Sequence, residues 1–142
     1  RVFHGAVGFN QPLDNWNVSK VTTFAAIFAG VNDFNQNINS WDMSSAEDVS
    51  NMFEGNYVFN QPLDKWDLRN VTNARSMFIR TKAFAQDISM WEFYSLTNAS
   101  HMFRSSTFNQ DISNWYTNKV IYFDGFREYG RLSTANTPPR FR

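Results

Sequence analysis

The sequence predicts an α/β solenoid of about five 25-residue repeats, each a short strand, a turn, a short helix and a return loop, with a parallel sheet on the concave face. Three observations predict it. A lead phenylalanine recurs at Phe3, Phe28, Phe53, Phe78 and Phe103, a constant step of 25 residues. All five tryptophans (Trp16, Trp41, Trp66, Trp91, Trp115) hold one slot of that repeat. The apolar spacing also changes within each unit, from alternation to steps of three and four. Self-similarity at a period of 20–50 residues marks stacked-repeat architectures, in which no single unit can bury its own apolar face.

The unit beginning at Phe28 justifies each element in turn. Phe34 is the second ring, and the Asn- and Gln-rich run from Phe34 to Ile38 reads as the return loop. Trp41 and Met43 alternate with polar neighbours, which suits a short strand with both side chains pointing inward. Ser44 or Ser45 stands where a helix N-cap belongs, and Glu47 and Asp48 occupy the first turn, where the helix dipole favours acid. Ala46, Val49, Met52 and Phe53 fall at i, i+3, i+6 and i+7, one face of a helix. Gly30 and Gly55 follow the helical stretches as C-caps.

The other units repeat these slots. The second ring is Phe9, Phe34, Phe59, Phe84 and Phe108; the aliphatic that follows is Leu13, Ile38, Leu63, Ile88 and Ile112. The fifth unit is one residue short between Phe103 and Phe108, and Thr117 stands where the others carry Val18, Met43, Leu68 and Phe93. The repeats cover residues 1–126. Residues 127–142, with Arg127, Arg131, Arg140, Arg142 and Pro138-Pro139, form a C-terminal cap or an extended tail. The chain opens at Arg1 in mid-repeat, which predicts further repeats or a cap upstream. An Asn-Gln pair after the second ring (Asn10-Gln11, Asn35-Gln36, Asn60-Gln61, Asn109-Gln110, broken at Ala85-Gln86) predicts a ladder of side-chain amides bonded to loop backbone groups of adjacent units. A polar ligand surface is the competing reading of that column.

Composition narrows the function. The chain has 142 residues, 18% aromatic, with 15 Phe and no cysteine, so disulfides and thiolate chemistry are excluded. The formal net charge is zero, and no charge argument favours nucleic acid or an anionic membrane. No apolar run is long enough to span a bilayer. No glycine-rich phosphate loop and no nucleophile elbow occurs. His4 and His101 occupy slots held elsewhere by unrelated residues, and both read as exposed surface side chains. Asp14 and Asp64 share a slot two units apart, about 10 Å at one strand spacing per unit, wider than a glycosidase pair, and both read as solvated loop charges. We assign no catalytic, cofactor-binding or metal residue and expect a non-enzyme. Three N-glycosylation sequons (Asn17-Val-Ser19, Asn70-Val-Thr72, Asn98-Ala-Ser100) arise partly from the wording of the repeat itself.

The words Phe59-Asn60-Gln61-Pro62-Leu63-Asp64-Lys65-Trp66-Asp67-Leu68-Arg69-Asn70-Val71-Thr72-Asn73 and Phe108-Asn109-Gln110-Asp111-Ile112-Ser113-Asn114-Trp115 carry a resemblance. They look like the repeat of BspA-like surface proteins, also known as a domain of unknown function in mycoplasma lipoproteins. It extends over residues 1–126, with departures at Phe24, Ala74, Ala85 and Thr117. The resemblance implies a leucine-rich-repeat-like fold, a surface location, and adhesion or protein binding. It brings no catalytic residue.

Residues flanking the inward side chains of the predicted strands would then point out from the concave face. Asp42, Asp67 and Glu92 would form an acidic column. The candidate protein-binding face is Lys65, Asp67, Arg69, Met90, Glu92, Tyr94 and Tyr116, because exposed Tyr and Arg commonly anchor protein interfaces. An ordinary solvated face is the competing reading. The expected function is a non-enzymatic adhesion, protein-binding or scaffold module, extracellular or at the cell surface, with a protein partner, no nucleic acid and no membrane insertion. The alternative is a structural subunit docked permanently in a larger assembly.

Overall fold

The computed structural model describes residues 2–142; Arg1, where the predicted repeat region begins, lies outside the described residues. The predicted core is present. Phe28, Phe34, Ile38, Trp41, Met43, Ala46, Val49, Met52 and Phe53 are all buried, and the matching residues of units three to five, save Thr117, belong to the same continuous core or, as Phe123 does, pack against it. The lead rings stack from unit to unit at centroid separations of 5.8 Å (Phe28–Phe53), 5.5 Å (Phe53–Phe78) and 5.4 Å (Phe78–Phe103). Each also stacks on the second ring of its own unit, as in Phe53–Phe59 at 4.5 Å. Such spacings lie in the favourable range for offset aromatic pairs.

The secondary structure differs from expectation. The fold is not a leucine-rich-repeat-like α/β solenoid with a parallel sheet. Among the described residues the only helical element is the 3₁₀ turn η1, Pro139–Phe141. Among the described residues the only strand-like pairing is a row of isolated parallel bridges, Thr23–Asp48, Asp48–Asn73, Asn73–Asn98 and Asn98–Tyr122. The rest is a stack of coils built from turns.

The hydrogen bonds show why the predicted helices do not form. An α-helix sends each N–H to the carbonyl four residues back. Here the donors of Phe24, Ala26, Phe28 and Gly30 go to the next unit, to the carbonyls of Asp48, Ser50, Met52 and Glu54, at 2.8–3.0 Å. The interleaved donors of Ile27, Ala29 and Val31 go three residues back within their own unit, at 3.1–3.2 Å. Two residues per unit take left-handed φ to allow this: Ala26 and Gly30 (+56° and +70°), Asn51 and Gly55 (+55° and +67°). Gly and Asn reach that region at little cost. Gly30 and Gly55 therefore shape these turns and are not helix C-caps. An i, i+3 apolar spacing fits a chain of turns as well as a helix. A lone helix of two turns is marginal, whereas the neighbouring coil offers partners at every level.

The predicted strands fail for a related reason. Trp41 and Met43 do point inward, but turns close on both sides, with the Trp41 N–H on the Ile38 carbonyl and the Ala46 N–H on the Met43 carbonyl. Side chains then join the units where a sheet ladder would have run. Four of the five indoles donate Nε1 to the aliphatic-slot carbonyl of the preceding unit: Trp41 to Leu13 (2.8 Å), Trp66 to Ile38 (3.0 Å), Trp91 to Leu63 (2.9 Å) and Trp115 to Ile88 (3.0 Å). Ser44 caps no helix: its N–H and hydroxyl both donate to Asp42 Oδ1. The same Asx turn recurs at Asn17/Ser19 and, in two other slots, at Asn98/Ser100 and at Asp87/Ser89 and Asp111/Ser113. These side chains mimic a backbone turn.

The Asn-Gln ladder is as predicted. Asn10 Oδ1 accepts from the Asn35 N–H (3.0 Å) and from Gln36 Nε2 (2.9 Å); Asn35 does the same for Asn60 and Gln61, and Asn60 for Ala85 and Gln86. Ala85 has no side-chain oxygen, and among the described residues the Asn109 N–H and Gln110 Nε2 have no partner. Restoring the rung with Ala85→Asn is expected to raise the unfolding free energy by about 1 kcal/mol in urea denaturation; no gain would show that the ladder is decorative.

The segment 127–142 packs over the fifth unit. The Ser133 N–H and Asn136 Nδ2 donate to Asn109 Oδ1, taking the parts played inside the stack by an Asn N–H and a Gln amide. Leu132 and Phe141 are buried, and Phe141 lies on Phe123 and Phe126 at 4.9 and 4.8 Å. At the opposite end Trp16 is 46% exposed.

The Asx turns set an acid dependence. The Ser44 hydroxyl, then the Ser44 N–H, holds the Asp42 carboxyl below its ordinary value of 3.8; Ser89 and Ser113 act alike on Asp87 and Asp111. A carboxylate depressed in the folded state stabilises it above the unfolded pKa, and that contribution is lost as pH falls through the folded value. Melting temperature should therefore fall below about pH 3.8. A Ser44→Ala/Ser89→Ala/Ser113→Ala variant should fall less steeply; an identical slope would refute the assignment.

Candidate functional site

The candidate residues sit beside the tryptophan column on the outside of the third to fifth coils. Lys65 and Met90 precede Trp66 and Trp91, and Glu92 follows Trp91, so each points outward because its neighbour is buried. No concave sheet presents them; the alternation survives without a strand. They line two adjoining depressions. One, of about 200 Å³, includes Lys65, Asp67, Arg69, Met90 and Glu92; the other, of about 450 Å³, includes Met90, Glu92, Tyr94 and Tyr116, with Ser89 and Asn114 on its rim. Met90 and Glu92 are shared, so all seven residues form one continuous patch.

Within it, Tyr94 and Tyr116 meet edge to face at 5.6 Å with an interplanar angle of 75°. Both remain exposed, at 44% and 38%, as does Met90 at 43%. Hydrogen bonding to the Glu92 carboxylate, and then burial, raises the Tyr94 phenol above its usual range. Arg69 Nε donates to Asp67 Oδ1 at 2.9 Å, and the Arg69 N–H reaches the same oxygen at 3.2 Å. The supposed acidic column is thus partly structural: Asp42 and Asp67 are occupied in turns, and Glu92 faces a phenol. The Lys65 ammonium lies within ion-pair distance of no carboxylate among the described residues.

The histidines divide. His4 is exposed as expected. His101 is not: it is half-buried at φ +57°, its Nδ1 is buried without a hydrogen-bond partner, and its Nε2 lies 3.5 Å from Asp124 Oδ2. Its slot selects for left-handed backbone (Ala26, Asn51, Ser76, His101, Gly125). Asp64 accepts from Asn39 Nδ2 at 2.8 Å, a loop contact two coils from Asp14. Among the described residues no group of three or more His, Asp or Glu is placed to hold a metal ion. No helix of the described residues is long and apolar enough to cross a membrane.

These features define a class: a repeat protein of stacked turn-built coils, held by aromatic columns and amide ladders and presenting a mixed aromatic and charged patch. The family model described as "Mycoplasma protein of unknown function, DUF285" matches residues 1–91 and again 61–130, and the chain belongs to that family. No curated protein and no solved structure matches the chain.

Proposed function

We propose that the chain is a non-enzymatic protein-binding module of the adhesion or scaffold type, working at a cell surface in the manner of the BspA-like surface proteins its repeat words resemble. The observation that supports this most is the Tyr94–Tyr116 pair, exposed beside Met90 and flanked by Arg69 and Lys65. Rigid aromatic anchors next to charged side chains suit a protein contact. The depressions are shallow and gather no convergent set of acid, base and nucleophile.

A second reading, a subunit fixed within a larger assembly, draws on the opposite end of the stack, where Trp16 is exposed and Phe3 and Phe9 are only partly buried. Affinity capture from the source cell with the wild-type chain and a Tyr94→Ala/Tyr116→Ala variant, followed by sizing, separates the two. A surface binder retains its partner with wild type and loses it by about thirtyfold with the double variant, at unchanged melting temperature. Elution of both proteins at fixed stoichiometry in one large complex would overturn the proposal.

A further inference from the structure

We propose that Met90 is a reversible oxidation site whose sulfoxide turns off the exposed patch of the third to fifth coils. The chain has five methionines and no cysteine, so thioethers are its only oxidisable sulfur. Four of them lie in the core: Met43, Met52, Met77 and Met102 are each 1% exposed or less. Met90 is 43% exposed, on the outside of the fourth coil. Packing does not call for a thioether there. The matching residues before the other tryptophans are Asn15, Ser40, Lys65 and Asn114, all polar. Oxidation of sulfur follows its access to the oxidant, so one methionine is selected out of the five.

The oxidant is hydrogen peroxide. The sulfur lone pair attacks one peroxide oxygen, the S–O bond forms as the O–O bond breaks, and water leaves. Sulfur is oxidised by two electrons and the peroxide is reduced by two. A sulfoxide reductase drawing on a dithiol restores the thioether and leaves a disulfide and water. The consequence follows from where Met90 stands. It lines both depressions and joins Lys65, Asp67 and Arg69 on one side to Tyr94 and Tyr116 on the other. A flexible apolar thioether adapts to a partner's apolar surface, whereas a sulfoxide is polar and accepts hydrogen bonds. Lys65 lines one of those depressions, and its ammonium, paired with no carboxylate among the described residues, can donate to the new oxygen. Oxidation thus puts a hydrated dipole at the apolar centre of the patch. The core keeps its packing, because its four methionines are out of reach of solvent. The loss of partner binding rests on the reading of this patch as a protein contact; the selectivity for Met90 and its reversal do not.

The test treats the whole chain with dilute hydrogen peroxide and follows sulfoxide by peptide mass mapping. Met90 should oxidise at least about tenfold faster than any of the other four methionines. The ring resonances of Tyr94 and Tyr116 should shift with it at unchanged melting temperature. The two methionine sulfoxide reductases, one for each epimer, should restore them with dithiothreitol as the dithiol. Capture of the source-cell protein that the Tyr94→Ala/Tyr116→Ala variant loses should weaken about tenfold on oxidation and recover on reduction. A Met90→Leu chain should show none of these responses to peroxide. Sulfoxide spread evenly over the five methionines, ring resonances that stay in place, or capture undiminished by fully oxidised Met90 each overturns the proposal. Equal capture by wild type and the double tyrosine variant refutes the contact and with it the switch, and the mass map and ring shifts then decide the oxidation site alone.

Discussion

Trp66→Ala is expected to lower the unfolding free energy by about 3–5 kcal/mol, the usual cost of removing a large buried aromatic. Trp66 is 4% exposed, stacks on Trp91 at 6.3 Å and on Phe53 at 6.3 Å, and donates Nε1 to the Ile38 carbonyl. The lost indole leaves a void among rings that turn-built coils have no helix or sheet to close around. The hydrogen bond is the smaller part, because the Ile38 carbonyl keeps the Trp41 N–H. Trp66→Phe, which retains a ring, should therefore cost about 1–2 kcal/mol. Stacked-repeat stability depends on neighbour contacts, so the alanine variant should also broaden the urea transition as the flanking units uncouple. Trp16 supplies the control. It holds the same slot, is half exposed, and has no preceding unit among the described residues to donate to. Trp16→Ala should cost less than about 1 kcal/mol. Equal losses at Trp16 and Trp66 would mean that the aromatic column does not hold the stack.

The two sites also show what was legible in the sequence. The column was, because bulk and apolarity recur at one slot and stacking is the only way to bury them. The path of the backbone was not, because Ala46, Val49, Met52 and Phe53 satisfy a helix and a chain of turns equally. The deciding signals were present in weaker form. Gly5, Gly30 and Gly55 mark one left-handed position of the coil, and Asn-x-Ser and Asp-x-Ser words at fixed offsets mark the Asx turns. His101 was misread because its slot looks permissive by residue type and is selective by φ. The outward placement of the patch residues was legible because inward and outward positions alternate around each Trp whether or not a strand forms.

Asn56→Ala is expected to cost about 2–4 kcal/mol although it deletes only a few atoms. Asn56 is 1% exposed and uses its whole amide: Nδ2 donates to the carbonyls of Val31 (2.9 Å) and Phe34 (3.2 Å), and Oδ1 accepts the N–H groups of Val58 (2.9 Å) and Phe59 (2.7 Å). Truncation strands the buried Phe59 donor and the Phe34 acceptor, and an unsatisfied buried polar group costs more than its bond contributed. The matching slots indicate what a partial repair looks like. In the fifth unit Ser106 Oγ accepts the Phe108 N–H at 3.1 Å and pairs with Thr81 Oγ1 at 2.7 Å. Asn56→Ser should accordingly recover part of the loss in urea denaturation. Asn56→Asp keeps the acceptor but sets a carboxylate against two carbonyl oxygens. Burial and that repulsion raise its folded-state pKa, so the protonated form is favoured on folding and the variant loses stability as pH rises through that value. Asn56→Asp should thus be more stable at pH 4 than at pH 7 relative to wild type. A pH-independent difference, or an alanine variant as stable as wild type, would show that this amide does not tie the second coil to the third.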